Sequence, residues 1–432
     1  MKIQTVSLWL RCLLAVSACG AASAHALSLR EAAELAVQND PRMHAAEQAV
    51  AASAANVDVA RAGYLPSASV SAGSGVQRVY LGGDFPAGIP VPGLMNPYSA
   101  SVKASQPLYS GGLTGAQMAD SRGRLEGSQQ DEVATRQQLL LTAATAYLDV
   151  MRERTVVELN QKNVLTLQQA LDDTNKRFEA GEATRTDVSQ ANARRAEAEA
   201  SLKRASAAAR VSAAAFVRAI GTEPQNLSSD WPIPLTPASL DQALSAAGLT
   251  PSVLAADAQR KSAHAQIAAA RAAFLPKVSI DGSASTQDDS QFALDRYDYW
   301  SVQLKATLPI YAGGANAARL AAARAAAAQA DAQVDDARHA AIQSITQAWA
   351  NSDAAAEIIA AYQADADASA SALDSVQKEL QVGTRTTLDL LDAERDLLSA
   401  QVNLAGSKHD RAVAGYQLLA ACGQLHLGDI AP

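Results

Sequence analysis

The sequence predicts a mainly α-helical chain made of two copies of one unit, each with a pair of short strands and a long helical hairpin. Three observations predict this. The chain resembles itself: VKASQPLYSGG (102–112) returns as LKATLPIYAGG (304–314), 202 residues on. No proline stands between Pro107 and Pro224, or between Pro309 and Pro432. Four segments of about ten residues alternate apolar and polar side chains, the period of a strand.

The repeat is extensive. ALDDTNKRFEAGEATRTDV (170–188) maps onto ALDSVQKELQVGTRTTLDL (372–390), pairing Gly181 with Gly383 and Asp187 with Asp389. Upstream, ARAGYLP (60–66) maps onto ARAAFLP (270–276) with an offset of 210. The period is far beyond the roughly 20–50 residues of a solenoid repeat, so the copies are two halves of one object. The chain divides into an export signal (1–26), a first copy (27–235) and a second copy (236–432). In the first, helices are expected over 28–65, strands over 67–110 and a long helical hairpin over 112–222. In the second, the corresponding ranges are 239–275, 277–311 and 313–423, followed by a short tail.

The first 26 residues are an address. Lys2 and Arg11 precede an apolar stretch, and Ala24-His25-Ala26 fits a signal-peptidase site. Val16-Ser17-Ala18-Cys19 offers a second reading, a lipoprotein box with a lipidated Cys19. Cleavage after Ala26 removes Cys12 and Cys19 and leaves Cys422 alone, so no intrachain disulfide framework is expected. It also takes the net charge from −8 to about −10. An acidic chain with scattered Lys and Arg argues against nucleic acid as a partner.

Helix starts are written into the sequence. Ser28-Leu29-Arg30-Glu31 and Ser239-Leu240-Asp241-Gln242 read as capping boxes, and Asp40-Pro41 and Thr250-Pro251 as N-caps followed by proline at the first helical position. The proline-free stretches are filled with Ala, Gln, Arg, Glu, Leu and Asp, mostly good helix formers. Residues 113–180 would span roughly 100 Å as one helix at 1.5 Å per residue. Gly181 and Gly383 are the expected breaks. A compact bundle of short helices is the alternative, and the scarcity of turn-forming clusters counts against it.

The alternating segments are 67–76, 98–108, 277–285 and 299–308. In 277–285, Val278, Ile280, Gly282 and Ala284 share one face, and Lys277, Ser279, Asp281 and Ser283 the other. Ten residues suffice for a tilted strand to cross a bilayer. Tyr64, Tyr80, Tyr98, Tyr109, Phe274, Tyr297, Tyr299, Trp300 and Tyr311 flank these segments, as an interfacial girdle requires. The hairpin loops are expected at 81–97 and 286–297. An ordinary sheet with one wet face shares the same alternation. If the strands do cross a membrane, four cannot close a barrel, so several chains must combine. Two chains supply eight strands and three supply twelve.

Enzyme motifs are lacking. No HExxH, P-loop, GxSxG or GxGxxG occurs. His44, His264, His339, His409 and His426 are dispersed and read as solvated or core residues. No catalytic, cofactor or metal site is expected. Asp389 and Asp392 lie three apart on one helix face, which in a symmetric pore would form rings of carboxylates.

Taken together, the duplicated plan, the QPLYSGG and LPIYAGG junctions and VGTRTTLDLLDAERDLLSAQVNLA (382–405) resemble the TolC-type outer-membrane efflux and secretion channels of Gram-negative bacteria. The resemblance covers the whole mature chain. It implies a homotrimer with a twelve-stranded transmembrane β-barrel continuous with a long periplasmic α-helical barrel. It implies an exit duct for type I protein secretion or multidrug efflux, served by a periplasmic adaptor (membrane fusion) protein and an inner-membrane ABC or proton-driven transporter. A mature chain beginning directly at its first helix is more similar to the non-lipidated branch. The resemblance places the pore constriction at Asp389 and Asp392, and a gate latch at Arg385 with Thr186 and Asp187. It places adaptor docking at the hairpin tips, Gly181 and Gly383. Leu380 and Ala170 stand where the family's best-known latch has Tyr and Gln, which leaves more of the closed state to Arg385. A lipid-anchored periplasmic coiled-coil scaffold, or the adaptor itself, would share the hairpins, but neither needs four amphipathic strands.

Overall fold

The structure is a computed structural model and describes residues 27–78, 94–228, 231–291 and 294–430. The expected export signal and Cys19 fall outside these residues, as do Tyr80 and most of the first hairpin loop. The elements are, in order, α1 (Leu29–Asn39), α2 (Pro41–Ala62), β1 (Ser67–Ser74), β2 (Gln77–Arg78), β3 (Leu94–Met95), β4 (Tyr98–Tyr109), α3 (Leu113–Glu179), α4 (Arg185–Ile220), α5 (Leu240–Leu244), α6 (Pro251–Ala272), β5 (Lys277–Gln291), β6 (Leu294–Thr307), α7 (Ala315–Gln381) and α8 (Thr387–Ala421). The chain is mainly helical. Both α3 and α7 are unbroken helices of 67 residues. Their starts lie 202 residues apart and the starts of α2 and α6 lie 210 apart, as the sequence offsets require.

The caps are partly as read. Ser28 and Glu31 form a complete capping box on α1. Ser239 accepts from the Gln242 amide, but the Gln242 side chain turns back to the Ala238 amide instead of Ser239. Thr250 makes no side-chain cap, and its hydroxyl donates to the Ala247 carbonyl. The second copy also opens differently. Its first helix is 5 residues long against 11 in the first copy, because the segment runs into Gly248 and then Pro251.

Two compact units divide the chain. Among the described residues, one holds 44–78, 94–135, 247–291 and 294–343. Its sheet runs in the order β1-β4-β5-β6, antiparallel throughout. The register aligns the side chains by kind. Val70, Val102, Ala284 and Trp300 stand in one row, and Ala68, Ala104, Gly282 and Val302 in the next on the same face. The opposite face carries Ser69, Lys103, Ser283 and Ser301, then Ser71, Ser101, Ser285 and Tyr299. Hydroxyl pairs cross it, Ser71 to Ser101 at 2.8 Å and Ser283 to Ser301 at 3.0 Å. The apolar face is bare: Val70 is 77 % exposed, Trp300 78 % and Leu304 70 %.

Two expectations about the strands need correction. The second hairpin does not loop over 286–297. The β5–β6 ladder continues to Asp288–Arg296 and Gln291–Leu294. Backbone pairing needs no apolar side chain, so the polar TQDDSQ segment hid a strand. Nor do all the flanking aromatics share one face. Tyr299 stands with Ser71, Ser101 and Ser285 on the polar face, where Tyr297 stacks on it at 6.3 Å. Tyr98 and Trp300 lie on the apolar face, and a register shift between Pro107 and Tyr109 brings Tyr109 opposite Val278 there too.

The helices of this unit meet through small residues. Ala263, Ala327 and Ala330 are buried together. Gly123 of α3 lies so close to α6 that a Cβ would sit 2.9 Å from the Ser262 amide nitrogen. The Ser262 hydroxyl donates to Asp120 there.

Among the described residues, the other unit holds 27–43, 136–228, 231–246 and 344–430. Its core gathers Leu29 and Ala33 of α1, Leu140 and Tyr147 of α3, Phe216 of α4 and Tyr416 of α8. Tyr147 is fully buried, and its hydroxyl donates to the Leu27 carbonyl at 2.9 Å while accepting from the Ser228 amide at 3.1 Å. One ring thus ties both ends of the first copy to α3. Tyr147→Phe keeps the ring but removes two part-buried hydrogen bonds, at a cost of about 0.5–1.5 kcal/mol each. We expect a lowered melting temperature by circular dichroism, with helix content unchanged before the transition.

Candidate functional site

The expected site residues collect at the turns of the two hairpins, all in the same unit. The two turns have the same design. Gly181 and Gly383 each adopt φ +78°, a left-handed conformation open to glycine, and end α3 and α7. Glu182 N–H then reaches the Arg177 carbonyl at 2.8 Å, and Thr384 N–H the Glu379 carbonyl at 3.0 Å. Three residues beyond each glycine a threonine caps the next helix. Thr184 accepts from the Asp187 amide at 3.2 Å, and Asp187 Oδ2 accepts from the Thr184 amide at 2.7 Å and its hydroxyl at 2.8 Å. Thr386 and Asp389 repeat this with 3.2, 2.9 and 2.7 Å.

Asp187 and Asp389 therefore have a structural task, each completing a capping box at a helix start. Donation from the threonine amide first, and its hydroxyl second, holds both carboxyls below the usual carboxylate range. The T-x-x-D spacing stands in the sequence at both positions, one read there as a latch residue (Asp187) and the other as a pore residue (Asp389). Thr186 is exposed on the first turn of α4.

Arg385 meets neither Thr186 nor Asp187 within the chain. Its Nε donates to Glu379 Oε2 at 2.8 Å, and its guanidinium lies 4.0 Å from Asp389. Asp392 does not cap. Its Oδ1 accepts from Arg194 Nη2 of α4 at 3.0 Å, and Arg395 stands 3.9 Å away. Asp389 and Asp392 are thus close in sequence and bound to different things.

Leu380 and Ala170 line one open groove of about 700 Å³, together with Asp173, Gln377 and Glu394. Glu394 is buried, and burial pushes its carboxyl up, partly offset by Gln377 donating at 3.4 Å. Sequence reading missed it, although it falls three residues after buried Leu391 on the inward stripe of α8.

His409 was read as an unremarkable core or surface histidine. It is buried, with Nδ1 2.9 Å from Asp410 and Nε2 2.9 Å from Asp149 of α3. The Asp149 contact is ionic rather than a well-aligned hydrogen bond. Burial disfavours the charged ring, but the two carboxylates outweigh burial and the nearby Arg152, so its pKa lies above the usual value of 6.5. Among the described residues, no group of His, Cys, Asp or Glu is arranged to hold a metal. Likewise, no described helix is long and apolar enough to cross a membrane.

The outer membrane efflux protein family matches residues 32–222 and 243–424, and the chain belongs to that family. It is an outer-membrane protein, in a family of channels rather than enzymes. It is 32% identical over 330 residues to the outer membrane efflux protein BepC of Brucella suis, covering 76% of this chain and 72% of that protein. It is 25% identical to TolC of Vibrio cholerae, over 93% of this chain and 92% of the relative. The same identity, 25%, relates it to the alkaline protease secretion protein AprF of Pseudomonas aeruginosa, over 94% and 86%. In fold, it is similar to a solved membrane protein from Pseudomonas aeruginosa, with a TM-score of 0.80 at 24% identity over 91% of this chain and 93% of the other.

The raised pKa of His409 has a signed consequence. Charge on the ring stabilises the fold fully below pH about 6.5, and this is lost as pH rises through the higher folded value. The stability gap between wild type and His409→Gln should be widest at mildly acidic pH and shrink toward alkaline pH, read as melting temperatures across a buffer series. A gap independent of pH would show that the imidazolium carries no such role.

Proposed function

We propose that the chain is one third of a passive exit duct in the outer membrane. Three copies join their four-stranded sheets into a twelve-stranded barrel, and their long hairpins form a periplasmic α-helical barrel. The carrying observation is the two-faced sheet. Its bare rows of Val70, Val102, Trp300 and Val302 suit lipid, and its serine and lysine rows suit a wet lumen. Four strands leave two edges, and edges in hydrocarbon leave backbone groups unpaired.

The duct would take substrate from an inner-membrane ABC or proton-driven transporter through a periplasmic adaptor docked at the tips, near Gly181 and Gly383. Relatives named for efflux and for protease secretion support both substrate classes, and likeness to AprF over nearly the full chain supports type I secretion. The tips would close the duct, with Asp389 and Asp392 at the constriction. Arg385 would be the latch, with Thr186 and Asp187 its partners in the closed assembly. Asp187 spends only Oδ2 on its cap, which leaves Oδ1 to accept from Arg385.

Mass measurement in mild detergent, followed by planar-bilayer recording, tests the reading. The expected result is a trimer that conducts ions. A stable monomer, or a trimer without conductance, overturns it. Given a conducting trimer, Arg385→Ser should raise conductance and let large antibiotics leak into cells. Conductance equal to wild type would remove Arg385 from the latch.

A further inference from the structure

The polar face of the sheet carries an unbalanced charge. In the chain as a whole, carboxylates outnumber Lys and Arg by 44 to 36. On this face the order reverses. Between the Gln287–Tyr297 and Lys277–Thr307 pairs, it carries Lys103 of β4, Lys277 and Asp281 of β5, and Lys305 of β6. The rest of the face is Ser, Thr, Gln, Tyr, Gly and Pro. Three lysines thus stand against one carboxylate.

The register sets their levels. Lys103 stands opposite Ser283, Asp281 opposite Ser105 and Gln303, Lys305 opposite Ser279, and Lys277 opposite Thr307. These are four successive levels of one face, two residues apart, so the belt occupies roughly 20 Å of strand. The levels of Ser101 with Tyr299 and of Ser99 with Tyr297 carry no charge. The belt therefore sits toward the end of the sheet where β4 runs into α3.

Asp281 does not neutralise the belt. It lies diagonal to both Lys103 and Lys305 in the ladder, a spacing of about 7–8 Å. Its Oδ1 accepts from the Ser105 hydroxyl at 2.6 Å and its Oδ2 from the Ser279 hydroxyl at 3.0 Å. Among the described residues, none of the three lysines forms an ion pair. Lysines on the helices do: Lys162 pairs with Glu158, Lys176 with Asp173 and Lys378 with Asp374. All three sheet lysines are exposed, and a hollow of about 370 Å³ on the same face is lined by Lys103, Ser105, Asp281 and Gln303.

We propose that Lys103, Lys277 and Lys305 make the barrel lumen an anion-attracting segment, which favours cargo carrying several negative charges. The inference rests on the duct reading above, which turns the polar face inward. Three copies bring nine lysines and three aspartates to one lumen. Levels about 7 Å apart lie within the Debye length of about 8 Å at physiological salt, so their fields add. Low-dielectric walls focus such a field, and rings of lysine select anions in pores. The sign is opposite to the net charge of the chain and to that of the aspartates at the hairpin turns. The barrel is then a charge filter of its own, separate from the tips.

The test is recording in neutral phosphatidylcholine bilayers, where the headgroups add no net charge. Purified wild type is compared with Lys103→Gln/Lys277→Gln/Lys305→Gln, with Lys103→Arg/Lys277→Arg/Lys305→Arg, and with Asp281→Asn. Each is read for potassium-over-chloride permeability from the reversal potential, and for block by inositol hexakisphosphate added on the barrel side. A cleft lined by one sign raises the local concentration of an opposite ion by about tenfold or more. The glutamine triple should therefore need about tenfold more inositol hexakisphosphate for half block, and its potassium preference should rise. The arginine triple should match wild type. Asp281→Asn should tighten block and lower potassium preference. Two outcomes overturn the inference while leaving the duct intact: a conducting glutamine triple with wild-type block and permeability, or an arginine triple that changes as the glutamine triple does. A wild type that does not conduct overturns the duct reading, and the inference with it. Trimer mass is measured for every variant. Where the glutamine triple fails to assemble, Lys103→Gln alone carries the test: weaker block supports the inference and unchanged block overturns it.

Discussion

Among the described residues, the outer edges of β1 and β6 each present a row of backbone donors and acceptors with no neighbouring strand in the sheet. In water such edges are tolerable. Next to a face made of Val70, Val102, Trp300, Val302 and Leu304, they are not, because the solvent that suits that face cannot bond the edges. The two requirements conflict within a single chain. They are reconciled when the edges of several copies pair, which is the reason for reading the chain as part of a symmetric assembly. The sheet's chemistry follows the same logic. Its polar rows are mostly serine, with hydroxyls bonded to one another across strands, so that face is wettable without needing a packed core.

The helices meet a different constraint. A helix of 67 residues exceeds what one globular core can cover, and in both units the contacts are made by small residues at intervals. Ala263, Ala327 and Ala330 form one such contact, Gly123 against Ser262 another, and Ala191 and Ala198 against Leu391 a third. Small residues bury little area each, roughly 0.8 kcal/mol per methylene-sized group, but they let backbones approach and polar side chains reach across. Larger side chains gather where the short elements dock, around Tyr147, Phe216 and Tyr416. Tight packing there, and light packing along the shafts, leaves the hairpin ends as the region where α4 and α8 are held by few contacts.

Much of this was legible in the sequence because it depends on local pattern. Alternation gave the strand faces, offsets of 202 and 210 gave equivalent positions, and Gly181 and Gly383 gave the turns. What escaped depends on register or on distant partners. Tyr297 and Tyr299 sit on the wet face, which requires knowing their cross-strand neighbours, Gln287 and Ser285. The shift beside Leu108 that moves Tyr109 to the apolar face leaves no mark in composition. Asp288 pairs as strand because ladders bond backbone, whatever the side chain. Arg194 and Asp392 stand 198 residues apart, off the repeat offset, so comparing the copies could not join them. His409 and Asp149 are likewise brought together by α8 packing on α3.

The two aspartates of α8 illustrate why position outweighs charge count. Both lie on one helix face near the proposed constriction, and a reading by charge alone treats them as equal. Asp389 is committed: its Oδ2 takes both the amide and the hydroxyl of Thr386, and that bonding lowers its pKa. The stability it gives is present above the ordinary carboxylate value of 3.8 and is lost as pH falls through the lower folded value. Replacing it removes the carboxylate half of a capping box as well as a charge. Asp392 has no such duty. It bonds a guanidinium from another helix, a partner it can lose without unwinding its own. Of the two, Asp392 is the carboxylate paired across to another helix, and Asp389 is the one that holds the start of its own.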